Sequence, residues 1–203
     1  MTQYTYDSLE YSIHPSVYKP AEDTFLLARI IEQRETPGNT LEIGTGCGLL
    51  SLIASKNGSH VIATDTNPHA TVNSQLNARS NALDSRIEVI RCSVAQTLSR
   101  NSIFDHIIFN PPYLPAEDPP EDWLSRAWAG GPTGIEFAEK VIGETAIMLK
   151  PEGDFTFLVS GENSLRRMTS YVESQGMSLR VLDSASFFFE KIFAVSVTRA
   201  KRG

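Results

Sequence analysis

The sequence predicts an α/β fold: a mostly parallel, doubly wound sheet with helices on both faces. Three observations predict it. Strand-like and helix-like segments alternate along the chain. A glycine-rich turn joins the first central strand to a helix. The run Phe104–Phe109 is mostly apolar on both faces, as a strand covered on two sides must be. The chain is 203 residues long and carries no repeat, low-complexity tract or linker, so the expectation is one domain over 1–203, with 1–19 as an N-terminal extension or lid.

Pro20-Ala21-Glu22-Asp23-Thr24 opens a helix, with proline in the first turn and acids complementing the helix dipole. Leu26, Leu27, Ile30 and Ile31 then recur at helical spacing until Pro37-Gly38 ends the segment. Thr40–Ile43 reads as the first strand, Gly44–Gly48 as the turn, and Leu49–Ile53 as a short helix stopped at Asn57-Gly58. Val61–Thr64 is the second strand and closes on Asp65. Asn67 caps the next helix, with Pro68 at its first position. Ile87–Ile90 is the third strand and Phe104–Phe109 the fourth. Leu114–Trp128 is the longest irregular stretch. Ile135–Leu149 has helical periodicity, and Pro151-Glu152-Gly153 reads as a turn. Phe155–Ser160 is a fifth strand, Ser164–Gln175 a helix, and Ser178–Arg199 two further strands.

Composition narrows the function. The net charge is −6, and the basic pairs Arg166-Arg167 and Lys201-Arg202 make no stripe, which weighs against the phosphate-neutralising surface of a protein that binds long nucleic acid. The polar start lacks the pattern of a secretory leader and no apolar run could span a membrane, so the expected location is the cytoplasm. Cys47 and Cys92 form no Cys-x-x-Cys pair, and His14, His60, His69 and His106 are scattered, so no metal site or catalytic histidine is expected.

Gly44-Thr45-Gly46-Cys47-Gly48 lets the backbone turn tightly and lets a ligand approach where a Cβ would collide. A dinucleotide fingerprint would place its last glycine at position 49, which is Leu49; the third glycine comes one residue early. That departure favours S-adenosylmethionine over NAD. Asp65, at the end of the second strand, suits two ribose hydroxyls. Glu42 is a carboxylate in a central strand and needs a partner or ligand; it should orient the glycine turn or meet the cofactor's amino-acid end.

Asn110-Pro111-Pro112-Tyr113 carries the chemistry. Asn110 and Pro111 each precede a proline and are held extended, and the prolines lack N–H donors. The Asn110 side-chain oxygen and the Pro111 carbonyl then form a rigid pair of acceptors that can fix a planar NH₂ group. Acceptors out of the amide plane favour pyramidalisation and aim the nitrogen lone pair, so the contribution is positioning and electrostatic preorganisation. Tyr113 can stack on the planar substrate.

At these residues the sequence resembles the HemK-type class I protein-glutamine methyltransferases, which modify the Gly-Gly-Gln loop of peptide-chain release factors. The resemblance rests on Glu42–Gly48, Asp65 and Asn110–Tyr113. Val17–Phe25 and Ala127-Trp128-Ala129-Gly130-Gly131 point to the short archaeal and eukaryotic branch. It implies a single Rossmann-like domain with a seven-stranded, mostly parallel sheet of order 3-2-1-4-5-7-6, strand 7 antiparallel. Carried over by position, it implies that Thr24, Glu42, Gly44, Gly46, Gly48, Asp65 and Asn110 contact S-adenosylmethionine. Pro111, Pro112 and Tyr113 would line the glutamine pocket, and 114–131 would be a substrate-side loop. The adenine contact falls on Ser93 and Val94, where serine replaces the family's usual acid but still offers a hydroxyl acceptor. It also implies a release factor as substrate and a small zinc-binding activator protein beside the third strand. Glu117, Asp118, Glu121 and Asp122, flanked by Trp123 and Trp128, read first as a solvated face; as a functional loop they would meet a basic protein surface. The same tetrad could serve an adenine amine on DNA or RNA, which is the alternative reading. A non-catalytic cofactor-binding module and a nicotinamide dehydrogenase fit less well.

Overall fold

The computed structural model of the protein describes residues 1–34, 37–93, 103–118, 120–187 and 190–200. Its seven-stranded sheet has the order β5-β4-β3-β6-β7-β9-β8, with a separate two-stranded sheet formed by β1 and β2. With the two N-terminal strands set aside, this is the strand order that the resemblance implies. The residues gather into two compact units, Met1–Leu98 and Ser99–Gly203.

The first unit holds β1 (Thr2–Tyr6), β2 (Leu9–Ile13), α1 (Glu22–Glu32), β3 (Asn39–Ile43), α2 (Leu49–Lys56), β4 (His60–Asp65), α3 (Pro68–Ser80) and β5 (Ile87–Arg91). β3, β4 and β5 are parallel and in register, Leu41 opposite Ile62 and Ile62 opposite Glu88. Leu26, Leu27 and Ile31 of α1, Leu41 of β3, and Leu49, Leu52 and Ile53 of α2 are fully buried and supply the apolar core.

The sequence reading missed β1 and β2. They form a hairpin with Tyr6 opposite Leu9 and a two-residue connection in which Asp7 has φ 49°. The signal was present: Leu9, Tyr11 and Ile13 are buried while Glu10 and Ser12 alternate with them. The hairpin stacks Tyr6 on Phe25 of α1, pairs Asp7 with Lys56 of α2, and runs along α3.

α3 inverts the usual helix pattern. Its buried face is Ala70, Asn73, Ser74, Asn77 and Ala78, while Val72 and Leu76 point outward, 54% and 40% exposed. The buried asparagines have a partner that periodicity cannot reveal, the outer edge of β2. Asn73 accepts from the His14 N–H at 2.8 Å, Asn77 from the Ser12 N–H at 2.8 Å, and Asn81 from the Glu10 N–H at 3.0 Å. Four helical residues rise about 6 Å, and two strand residues advance about 6.6 Å. Asparagines at every fourth helix position therefore match alternate residues of a strand.

The second unit holds β6 (Phe104–Phe109), α4 (Trp123–Arg126), α5 (Glu136–Thr145), a 3₁₀ turn (Ala146–Met148), β7 (Leu149–Ser160), α6 (Glu162–Ser174), β8 (Met177–Phe187) and β9 (Glu190–Arg199). β7 runs parallel to β6 and antiparallel to β9, which is antiparallel to β8. Phe104, Phe109, Phe155 and Phe157 are buried, and Phe109 stacks on Phe157 at 4.8 Å. The expected turn at Pro151-Glu152-Gly153 lies inside β7. Phe104 pairs with Leu149 and His106 with Asp154, so these residues loop out as an irregularity within the strand. Gly153 is needed there because a Cβ would come within 2.8 Å of the Asp105 carbonyl. The helical pattern of Ile135–Leu149 resolves into α5, the 3₁₀ turn and the first residue of β7. Among the described residues no helix is long and apolar enough to cross a membrane.

Candidate active site

In the first unit the glycine turn leaves β3 and folds onto the carboxyl end of β4. The N–H groups of Gly44 and Thr45 both donate to the Thr64 carbonyl, at 2.8 and 2.9 Å. Gly44 sits at φ 71°, and a Cβ there would meet no protein atom within 4 Å, so its outer face is open to a ligand. Gly48 has a different reason to be glycine. A Cβ there would lie 3.1 Å from the Cα of Ser74, so its absence lets the turn pack against α3.

Glu42 lies beneath this turn, 2% exposed. Its Oε2 accepts from the Thr45 hydroxyl at 2.8 Å and from the Ser51 hydroxyl. Burial pushes its carboxyl up to about 7; the Ser51 and Thr45 hydroxyls pull it back and the charge of Asp65 raises it further. Asp65, at the end of β4, divides its oxygens between two backbone donors: Gly46 N–H to Oδ2 at 3.0 Å and Asn67 N–H to Oδ1 at 2.8 Å. Each oxygen keeps a second lone pair. Burial raises this carboxyl too, and the N–H groups of Asn67, Gly46 and Thr66 lower it. Neither carboxylate has an ion-pair partner among the described residues.

Thr24 is buried in the first turn of α1. The Asp23 carboxylate accepts from the Thr24 N–H at 2.6 Å, the Thr24 hydroxyl at 3.2 Å and the Tyr18 hydroxyl at 2.9 Å, which ties the Val17–Phe25 motif together. Ser93 is exposed just past β5, and Val94 lies outside the described residues. Cys47 is buried and its thiol is pushed up to about 12 by that burial, so it stays a neutral packing residue.

In the second unit Asn110–Tyr113 leaves the carboxyl end of β6, with Pro111 buried and Asn110, Pro112 and Tyr113 half-buried. The Ala127–Gly131 motif packs back along this segment. Leu114 N–H donates to the Trp128 carbonyl at 2.9 Å, Gly130 N–H returns to the Leu114 carbonyl at 2.9 Å, and Ala116 N–H reaches the Gly131 carbonyl at 2.9 Å. A Cβ on Gly130 would lie 2.6 Å from the Pro112 carbonyl oxygen. One on Gly134, at φ 84°, would lie 3.1 Å from the carbonyl carbon of Tyr113. Two glycines thus let a second segment lie directly on the backbone of the tetrad. Gly134 was not among the expected site residues; its signal was the third glycine after Gly130-Gly131.

Glu117, Asp118, Glu121 and Asp122 are all exposed. Asp122 has a local task as well, capping α4 by accepting from the Ser125 N–H at 2.9 Å. Trp123 is covered by Arg126, whose guanidinium lies 4.8 Å over its ring, whereas Trp128 is 38% exposed. Of the histidines, His14 stacks on His69 at 4.5 Å and His106 contacts Asp154 at 2.7 Å. Among the described residues no group of His, Cys, Asp and Glu could hold a metal ion.

The first unit suits S-adenosylmethionine on the chemistry of its donors. An open glycine face offers room, and two desolvated carboxylates without a protein cation favour a ligand that brings positive charge and hydroxyl donors. Fold and residues together define a class I S-adenosylmethionine-dependent N-methyltransferase.

Relatives in sequence and structure narrow the class further. The methyltransferase small domain family model matches residues 16–124. A protein assigned as an N5-glutamine methyltransferase in Methanocaldococcus jannaschii is 30% identical over 95% of this chain and 97% of its own. Human methyltransferase HEMK2 is 33% identical over 79% of each chain. Among solved structures, the Encephalitozoon cuniculi Mtq2–Trm112 complex, which methylates the eRF1 termination factor, matches with TM-score 0.69 at 22% identity over 91% of this chain and 99% of that one. This chain belongs to the methyltransferase small domain family, within the short HemK2/Mtq2 branch.

Proposed function

We propose that this protein transfers a methyl group from S-adenosylmethionine to the side-chain amide nitrogen of a glutamine, in the Gly-Gly-Gln loop of a peptide-chain release factor. In this reading 1–203 works as a single catalytic domain. The observation that carries it is the Asn110–Tyr113 tetrad, immobilised by its own prolines and by Gly130 and Gly134 lying on its backbone. A weakly nucleophilic amide needs fixed acceptors, and this segment has little freedom to move away from them.

S-adenosylmethionine, when bound, supplies an electrophilic methyl group on a sulfonium centre. Gly44 and Gly46 would give it room, Asp65 would accept from the ribose hydroxyls, Glu42 and Thr24 would hold the amino-acid end, and Ser93 would meet the adenine. Asn110 Oδ1 and the Pro111 carbonyl accept the two N–H bonds of the glutamine amide and bias its lone pair out of plane. Tyr113 would cover the planar amide; the new N–C bond forms as the methyl–sulfur bond breaks and leaves a neutral thioether, and the nitrogen then gives up one proton to solvent. The acidic 114–131 segment, which includes the exposed Trp128, receives a basic protein surface.

A partner fits the same reading. The relative in the solved complex works with Trm112. Here β5 is the terminal strand of its sheet, and α3, packed beside it, turns Val72 and Leu76 outward. A small zinc-binding activator would pair with that strand and cover those side chains.

The test is transfer of labelled methyl to a purified release factor, with and without a co-expressed activator. Label should appear on the glutamine by mass spectrometry. Asn110→Ala should cut the rate roughly 10²–10³-fold while cofactor binding persists. Label confined to DNA or RNA oligonucleotides would replace this reading with an adenine-amine methyltransferase.

A further inference from the structure

Asn77 joins the N-terminal hairpin to the glycine turn. Its side chain is 2% exposed and all four of its hydrogen-bonding positions are used. Oδ1 accepts from the Ser12 N–H at 2.8 Å and the Ser12 hydroxyl at 3.1 Å. Nδ2 donates to the Ser12 carbonyl at 2.8 Å and to the Cys47 carbonyl at 2.7 Å. One amide therefore holds a strand edge on one side and the backbone between Gly46 and Gly48 on the other. Its neighbours on the ladder do not do this. Among the described residues Asn73 bonds Ser12 and His14, and Asn81 bonds Glu10 and its own helix.

Further contacts run the same way. Asn67 caps α3 through the His69 N–H at 2.9 Å, donates to the Ser16 carbonyl at 2.8 Å, and gives its own N–H to Asp65. Ser74, one residue beside Asn73, is the surface against which Gly48 packs, and its hydroxyl lies 3.4 Å from that of Thr45. The chain just after the hairpin lies against the turn at Val17, whose Cγ1 is 3.9 Å from where a Cβ on Gly46 would sit. A backbone turn rich in glycine has little stiffness of its own. Its shape comes from what bonds its few polar atoms, and the Cys47 carbonyl is bonded by Asn77.

We propose that Asn77 is a positioning residue for the cofactor turn, and that it couples the Ser12 edge of the β1–β2 hairpin, and not its Glu10 end, to ligand binding at Gly44–Gly48. The proposal rests on the reading that this turn holds S-adenosylmethionine. Coupling between two sites is reciprocal, so a ligand on the turn must tighten the hairpin as much as the hairpin tightens the ligand.

The variant that separates this from a merely structural role is Asn77→Asp. It keeps the shape and the acceptor for the Ser12 N–H, and sets a carboxylate oxygen against the Cys47 carbonyl. Asn81→Asp makes the same change four residues on, where the side chain ties the Glu10 backbone to the helix's own Asn77 carbonyl and makes no bond to the turn. Titration calorimetry with S-adenosylhomocysteine should show affinity weakened at least tenfold in Asn77→Asp and within about twofold of the wild type in Asn81→Asp. The KM for S-adenosylmethionine should rise in step in Asn77→Asp, with kcat little changed. In the wild-type chain, S-adenosylhomocysteine should slow hydrogen exchange at the Ser12 and His14 amides, a measurement that needs no variant to fold. Wild-type affinity in folded Asn77→Asp, equal losses in both variants, or hairpin amides that ignore the ligand would each overturn the coupling. If the wild-type chain failed to bind S-adenosylhomocysteine at all, the cofactor reading itself would fall and take this proposal with it.

Discussion

The glycine turn Gly44–Gly48 and the tetrad Asn110–Tyr113 solve opposite problems. The turn is intrinsically loose and is held by side chains from elsewhere: Glu42 beneath Thr45, Asp65 on Gly46, Asn77 on Cys47. The tetrad is intrinsically stiff and is held by backbone, with Gly130 and Gly134 bare of side chains so that a neighbouring segment can lie on it. Flexible backbone thus recruits polar side chains, and rigid backbone recruits glycines. The turn can adjust around a ligand that enters and leaves. In the proposed reaction the tetrad presents the same two acceptors at every turnover.

Three perturbations test that contrast. The largest concerns Glu42. Its ordinary carboxyl value of 4.5 rises to about 7 in the folded protein. A raised carboxyl means the folded state binds the extra proton, so stability should fall as pH climbs through the window from about 4.5 to about 7 and then level off. A displacement of that size corresponds to about 3 kcal/mol. Chemical denaturation of ligand-free wild-type and Glu42→Gln protein at several pH values should show their stability difference shifting by about that amount, in favour of Glu42→Gln as pH rises. A pH-independent difference would mean that Glu42 is not a desolvated acid.

The next concerns Gly134→Ala. The new Cβ would press on Tyr113 and strain a φ of 84°. Small misplacements of acceptors cost about 10²-fold in rate, and methyl transfer should fall by that order while S-adenosylhomocysteine affinity stays unchanged. An equal loss of affinity would erase the distinction between the two regions. The smallest concerns Asn81→Ala, which removes the outermost rung between α3 and β2. It should lower stability by about 1 kcal/mol and leave the cofactor constant alone, as read by thermal denaturation and calorimetry.

Much of this molecule is legible in its sequence. The strand–turn–helix at Gly44, the acid closing β4 and the tetrad closing β6 are written in residues that restrict or free their own backbone. Other parts were hidden for identifiable reasons. The hairpin was overlooked because its short alternation, Leu9-Glu10-Tyr11-Ser12-Ile13, sits in a polar terminus. α3 carries its asparagines inward and Val72 and Leu76 outward, so a search for an apolar stripe finds the wrong face. Pro151-Glu152-Gly153 looked like a turn because nothing local says that a parallel neighbour will absorb it as a bulge.

What the sequence determined by itself is therefore the local pieces of the candidate site. It encodes a glycine turn flanked by two acids and a proline-locked asparagine, because backbone freedom and donor inventory are properties of single residues and their neighbours. The tertiary structure alone decided how those pieces are braced. Whether an asparagine at every fourth position faces water or a strand edge, and whether a glycine is a hinge or a contact, depends on what lies opposite it. That is information which no local stretch of chain contains.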